Sequence, residues 1–155
     1  NIKFIGEENK GLFNECKGKF IKRGKGLGLE MDYLGKYNLD MYKMIDRIQL
    51  KKVIFNAFYI AYEIYKNTNL NHGDLHRRNV IISKTKPYQK TYYIGKYKYV
   101  LKNQHYRVYI IDFDSMVKKN EMNDINYLSE YFEHVFGFKK EESTETFFKI
   151  NFKNF

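Results

Sequence analysis

The chain has 155 residues, a length that fits one domain and can bury a core without disulfides or metals. Its single cysteine, Cys16, has no partner within the chain, which excludes a disulfide scaffold and points to an intracellular setting, cytoplasmic or nuclear. No apolar run approaches the ~18 residues a membrane span needs, so no membrane partner is expected, and the net charge is +10.

The charge comes from 28 basic and 18 acidic side chains. Abundant Lys, Asn, Ile, Tyr and Phe are what AT-rich coding would supply, so solvated lysines are the plain reading. No basic run is dense enough to be a nucleic-acid motif; nucleic acid could be attracted only through general charge. The chain starts at Asn1 rather than Met, as a processed or partial piece of a longer protein would.

In chain order, "GKFIKRGKGLGLEMDYL" predicts a hairpin: strands at Gly18 to Arg23 and Leu27 to Tyr33, with Gly24-Lys25-Gly26 turning. "NLDMYKMIDR" predicts a short helix. In "QLKKVIFNAFYIAYEIYKN", Val53, Ile54, Ala57, Phe58, Ala61, Ile64 and Tyr65 recur at steps of three and four, which gives a helix with one apolar stripe. "NVII" and "RVYII" are short β-branched strands. Between them "KTYYIGKYKYVLKN" alternates tyrosines around Gly95, an added hairpin near 88–105 that is expected to be removable without damage to the core. "NDINYLSEYFEHVFG" predicts a helix capped by Asn123 or Asp124 and ended by Gly137. "FFKINF" in the tail fits either a strand or a docked segment.

Two polar clusters carry the chemistry. Asp74 and Asn79 lie five positions apart in a loop entering a strand, and Asp112 follows another strand. If those strands pair, two carboxylates and a carboxamide converge at one sheet end. Hard oxygen ligands of this kind suit Mg²⁺, which keeps several waters and is shared with substrate phosphates. Asp74 is then free to act on a hydroxyl nucleophile while Asn79 and Asp112 hold metal, the division that phosphoryl transfer needs.

"HGDLHRRN" resembles the protein-kinase catalytic loop H-R-D-L-x-x-x-N, with Gly73 in place of arginine. "IIDFDS" resembles the metal-binding D-F-G, with Asp114 in place of glycine. The resemblance implies an α+β fold: a kinase-like C-lobe over 36–155 carrying the inserted hairpin, preceded over 1–35 by the last N-lobe strands and hinge. "LEMDYLG" then resembles the strand running into the hinge, with Met31 as gatekeeper and Asp32, Tyr33 and Leu34 facing adenine. "KFIG", Lys3 to Gly6, resembles the segment leading into those strands. The 42 positions from Asp32 to Asp74 suit protein kinases better than aminoglycoside or choline kinases. The 38 from Asp74 to Asp112, the missing A-P-E and His76 in the usual lysine position resemble haspin-like atypical kinases. Divergent viral kinases share that look, in which case the protein would act in a host cell.

The implied function is Mg²⁺- and ATP-dependent transfer of phosphate to Ser/Thr hydroxyls of a protein, with Asp74 and Asn79 catalytic and Asn79 and Asp112 on the metal. His72 holds the loop, with His76 and Asp114 in support. Asp124 either braces that loop or caps its helix. Two alternatives stand: a pseudokinase or binding module using the Tyr-rich hairpin as a contact surface, and a small-molecule phosphotransferase. The pattern departs from the family in lacking a strand lysine and its glutamate partner, so the 155 residues alone are expected to be inactive. "GKGLG" reads as a hairpin turn rather than a phosphate loop, Gly73 removes the arginine that pairs with activation-loop phosphate, and His105, His134 and Cys16 carry no chemistry.

Overall fold

A computed structural model describes strands Lys19–Arg23 and Gly26–Glu30 and residues 34–155 other than 142. The fold is mixed α+β with antiparallel sheets, and it divides into units Asn1–Leu34 and Gly35–Phe155. In the first unit, β1 (Lys19–Arg23) pairs antiparallel with β2 (Gly26–Glu30). This is the expected hairpin with one correction. Gly26 opens β2 opposite Arg23 instead of turning, and Gly28 lies inside the strand opposite Ile21. The expected strand residues Met31, Asp32 and Tyr33 lie outside the described residues, as do Lys3 to Gly6, Cys16 and the turn positions Gly24 and Lys25.

The second unit is built round α1 (Arg47–Thr68). The Asp46 carboxylate caps its first turn by accepting from Gln49 N–H, and Asn69 ends it in the left-handed region. Val53, Ile54, Ala57, Phe58 and Ala61 are buried as the stripe predicts. Phe55 and Asn56 are buried as well, because α1 is covered on more than one side. The segment before it, Leu39–Met44, is a 3₁₀ turn with a kink at Met41 rather than the expected helix. It follows the short strand β3 (Tyr37–Asn38).

One cover is the ribbon of β5 (Val80–Ile94) and β6 (Tyr97–Ile110). "NVII" and "RVYII" are the roots of this one long hairpin, not separate strands with a hairpin inserted between them. Gly95 supplies the turn at φ +55. Register shifts flank Tyr88. The inner face carries Val80, Ile82, Tyr92, Ile94, Tyr99 and Leu101, all buried, so the expectation of a removable edge decoration is wrong. β3 pairs with the root of β5. β4 (Leu70–Asn71) pairs across the chain with β7 (Val117–Lys118).

The other cover comes from α2 (Asp124–Phe136) and α3 (Thr144–Asn151). Gly137 ends α2 at φ +62 as expected, whereas Asn123 stands at the N-cap position without a side-chain capping hydrogen bond. Of the two readings of the tail, the docked segment holds, and it is helical. Ser143 caps α3 by accepting from Thr146 N–H, and Phe147, Phe148 and Phe152 dock into the core. There Phe55 meets Tyr92, Phe148 and Phe152 edge to face, and Phe58 does the same with Phe147. Edge-on aromatic pairs add to area burial.

Candidate active site

The loop from His72 to Asn79 leaves β4 and enters β5, while Asp112 lies two residues past the end of β6. Because Val80 pairs with Ile110, and Ile111 N–H donates to Asn79 carbonyl oxygen at 3.0 Å, both polar clusters arrive at the root of one ribbon. The convergence expected of Asp74, Asn79 and Asp112 is thus a product of hairpin register.

His72 is buried. Its Nε2 lies 2.8 Å from the Ile111 carbonyl oxygen, which can only accept, so Nε2 carries the proton. Nδ1 is left to accept from Asp74 N–H, at 3.4 Å. The ring also packs on Phe113 at 5.0 Å. His72 therefore ties the loop to the end of β6.

Asp124 is buried beneath the loop. One carboxylate oxygen accepts from His72 N–H at 2.6 Å and the other from Gly73 N–H at 3.1 Å. Of the two roles left open by the sequence, bracing is the one its carboxylate performs. Asn71 adds a second tie, accepting from Asn123 N–H and donating to the Glu121 carbonyl.

Gly73 has φ +80, and a Cβ there would lie 2.1 Å from the Ser115 carbonyl oxygen. Glycine at this position thus has a backbone cause. The chain after Asp112 passes too close to admit a side chain.

Asn79 is buried, and its carboxamide nitrogen donates to the Asp74 carbonyl at 2.9 Å. That commitment leaves the carboxamide oxygen as its ligand-type atom. Asp112 is exposed and holds φ +66, ψ +64, an uncommon conformation for a residue other than glycine. Asp114 is exposed in the 3₁₀ turn Phe113–Ser115. Among the described residues no three His, Cys, Asp or Glu side chains gather as a metal cluster. One carboxylate and one carboxamide oxygen, completed by water and phosphate, still match the way Mg²⁺ is held at nucleotide sites.

Asp74 is exposed and opens onto a cleft of about 180 Å³, bordered by His76, Lys119 and Tyr127. His76 Nδ1 accepts from Arg78 N–H, so its Nε2 proton faces the Asp74 carboxylate at 3.6 Å. That spacing orients the carboxylate without a direct hydrogen bond.

Sequence reasoning missed the other end of the loop. Asp40 pairs with both Arg77 and Arg78, at 3.1 and 2.9 Å. Arg77 lies 3.6 Å from the centroid of the Tyr131 ring and donates to its hydroxyl. Burial, then a hydrogen bond with the Tyr42 hydroxyl, raises the Tyr131 phenol above its ordinary range. A paired Asp and Arg 37 positions apart leave no local signature. The expected adenine-facing residues Met31, Asp32 and Tyr33 fall outside the described residues, and Leu34 is half-buried at the end of the first unit.

Comparison with known protein families, curated proteins and solved structures finds no match.

Proposed function

We propose that this chain is the hinge and C-lobe part of a haspin-like Ser/Thr protein kinase that uses ATP and Mg²⁺. The observation that carries the reading is the braced loop. Asp74 is presented to solvent by a backbone that Asp124, His72 and Asn79 hold from below, and Asp112 is delivered beside Asn79 by the ribbon. A loop fixed from three sides around one free carboxylate is suited to position a nucleophile, and positioning is most of what phosphoryl transfer asks of a protein.

In this reading Asp74 accepts the proton of the acceptor hydroxyl as it attacks the terminal phosphate. Asn79 and Asp112 would hold Mg²⁺, which neutralises charge on the phosphate oxygens. His76 steers Asp74, and Asp40 with Tyr131 fixes the far end of the loop.

The test is made on the whole protein. Asp74→Asn is nearly isosteric, so the fold is kept while transfer falls by about 10²–10⁴-fold. Asp112→Asn lowers the extra thermal stabilisation that Mg²⁺ gives to bound ADP and spares the metal-free increment. Transfer within threefold of the parent in the first variant, or an unchanged metal increment in the second, removes the respective assignment.

A further inference from the structure

The ribbon has an outer face that catalysis leaves unused. Across residues 80–110 there are six lysines, Arg107 and seven tyrosines, and no acidic residue. At the chain's average, three or four acids belong in a stretch of that length. The ribbon therefore holds +7 of the net +10, and the other 124 residues hold only +3. Coding bias scatters lysine; it does not remove Asp and Glu from one hairpin.

All seven cations are exposed. Opposite residues of an antiparallel pair share a face, so the pairs Ser83 with Arg107 and Tyr93 with Lys98 stand on the side away from the buried Ile82, Tyr92 and Tyr99. Along β6, Lys98, Lys102 and Arg107 follow one another on this face, whereas Lys84 shares the side of Ile82. Tyr93 is 59 % exposed, an aromatic ring left in water beside a lysine. Near the tip, Glu145 approaches Gly95 and marks where the positive strip ends.

We infer that this outer face binds single-stranded nucleic acid. The strip supplies phosphate contacts along a strand that rises about 3.3 Å per residue. The exposed ring supplies what an acidic peptide has no use for, a platform on which a base stacks regardless of its identity. Cations with interleaved rings track a flexible strand, whereas a duplex hides its base faces. The inference is independent of the kinase reading, and its test involves no catalysis.

The probe is a fluorescein-labelled 20-mer of oligouridine, followed by anisotropy, with a duplex of equal length and polyglutamate as comparison ligands. Raising NaCl from 50 to 200 mM should weaken single-strand binding roughly 50-fold if about four phosphates are neutralised. The triple variant Lys98→Glu, Lys102→Glu, Arg107→Glu should lose at least tenfold. The charge-matched Lys43→Glu, Lys66→Glu, Lys139→Glu, exposed elsewhere, should stay within twofold. If circular dichroism shows damage in the first triple, the corresponding glutamine variant replaces it, with at least a fivefold loss expected. Tyr93→Ser should weaken the single strand at least threefold and leave the duplex unchanged. Equal losses in both triple variants would reduce the effect to net charge and overturn the inference. So would absence of binding at 50 mM NaCl. Polyglutamate bound as tightly as oligouridine, with Tyr93→Ser silent, would identify an acidic protein partner instead and overturn it too.

Discussion

At Gly73 the backbone, not the side chain, is what the loop needs. With φ +80 and the Ser115 carbonyl 2.1 Å from where a Cβ would be, either Ala or Arg forces the segment after Asp112 away from the loop. Gly73→Arg should destabilise by at least ~2 kcal/mol. Urea unfolding checks this, and a change under 0.5 kcal/mol would refute it. Tyr92 makes a second residue-scale case. Its hydroxyl donates to the Asn56 carboxamide oxygen, whose nitrogen donates to Gln104. Burial pushes the Tyr92 phenol up to about 12 from 10.0. The neutral form is thus the one favoured by folding. Its contribution is fully present below pH ~10 and is lost as pH rises from ~10 to ~12, on the order of 2–3 kcal/mol in all. Tyr92→Phe should cost about 1–3 kcal/mol at pH 8, because the Asn56 oxygen is stranded. That deficit should shrink at pH 11.5; a deficit independent of pH would place Tyr92 outside the linkage. Neither Gly73 nor Tyr92 could be read from sequence in this way. The first depends on a chain passing 42 residues later and the second on a partner one helix away.

At the scale of elements, what was legible followed from periodicity and punctuation. The stripe of α1, the stop at Gly137 and the turn at Gly95 all have local physical causes. The ribbon was seen only as its two roots and its tip. The register shifts around Tyr88 break strict alternation in the middle, and the continuity of β5 with β6 is fixed by pairing rather than by composition. By sequence the tail fits either a strand or a docked segment for a related reason: Phe147, Phe148 and Phe152 do not decide between a strand and a helix, and Ser143 as cap is the deciding residue. Replacing 91–101 with a Gly-Ser turn is therefore predicted to abolish folding. It removes Tyr92, Ile94, Tyr99 and Leu101 from the core, each worth about 1.5–3 kcal/mol of burial, against a total stability of about 5–15 kcal/mol. Soluble protein with native circular dichroism and a cooperative melt would contradict this.

For the whole molecule, the motifs of the candidate site were legible because their residues are close in sequence, and their supports were not because they come from α2 and from Asp40. The net charge was legible as a total but not as a location. With +7 concentrated on one ribbon, self-repulsion opposes the fold at low ionic strength, and a Debye length of about 30 Å at 0.01 M shrinks to about 8 Å at 0.15 M. The melting temperature should rise by about 2–4 °C between those conditions, a gain near 1 kcal/mol for a chain of this size. In the Lys98→Glu, Lys102→Glu, Arg107→Glu variant most of that rise should vanish. An equal rise in both proteins would mean that the ribbon is not the source. Among the described residues no helix is long and apolar enough to cross a membrane.

The pairing of β4 with β7 joins Asn71 to Val117, which closes a loop of more than forty residues. Closing so long a loop from a disordered chain is entropically unfavourable. The ribbon lies wholly inside that loop and can zip from the two-residue turn at Gly95, with only short-range contacts to form first. Once Asn79 has met Ile111, the slack is a handful of residues on each side, and the closing entropy falls by about 1 kcal/mol. The ribbon is then an assembly guide as well as a wall of the core: it draws together the two halves of a site that neither contains. Pulse-labelled hydrogen exchange during refolding should show the amides of Val80–Ile94 protected before those of Asn71 and Val117. Simultaneous protection would mean that the site and its ribbon condense in one step.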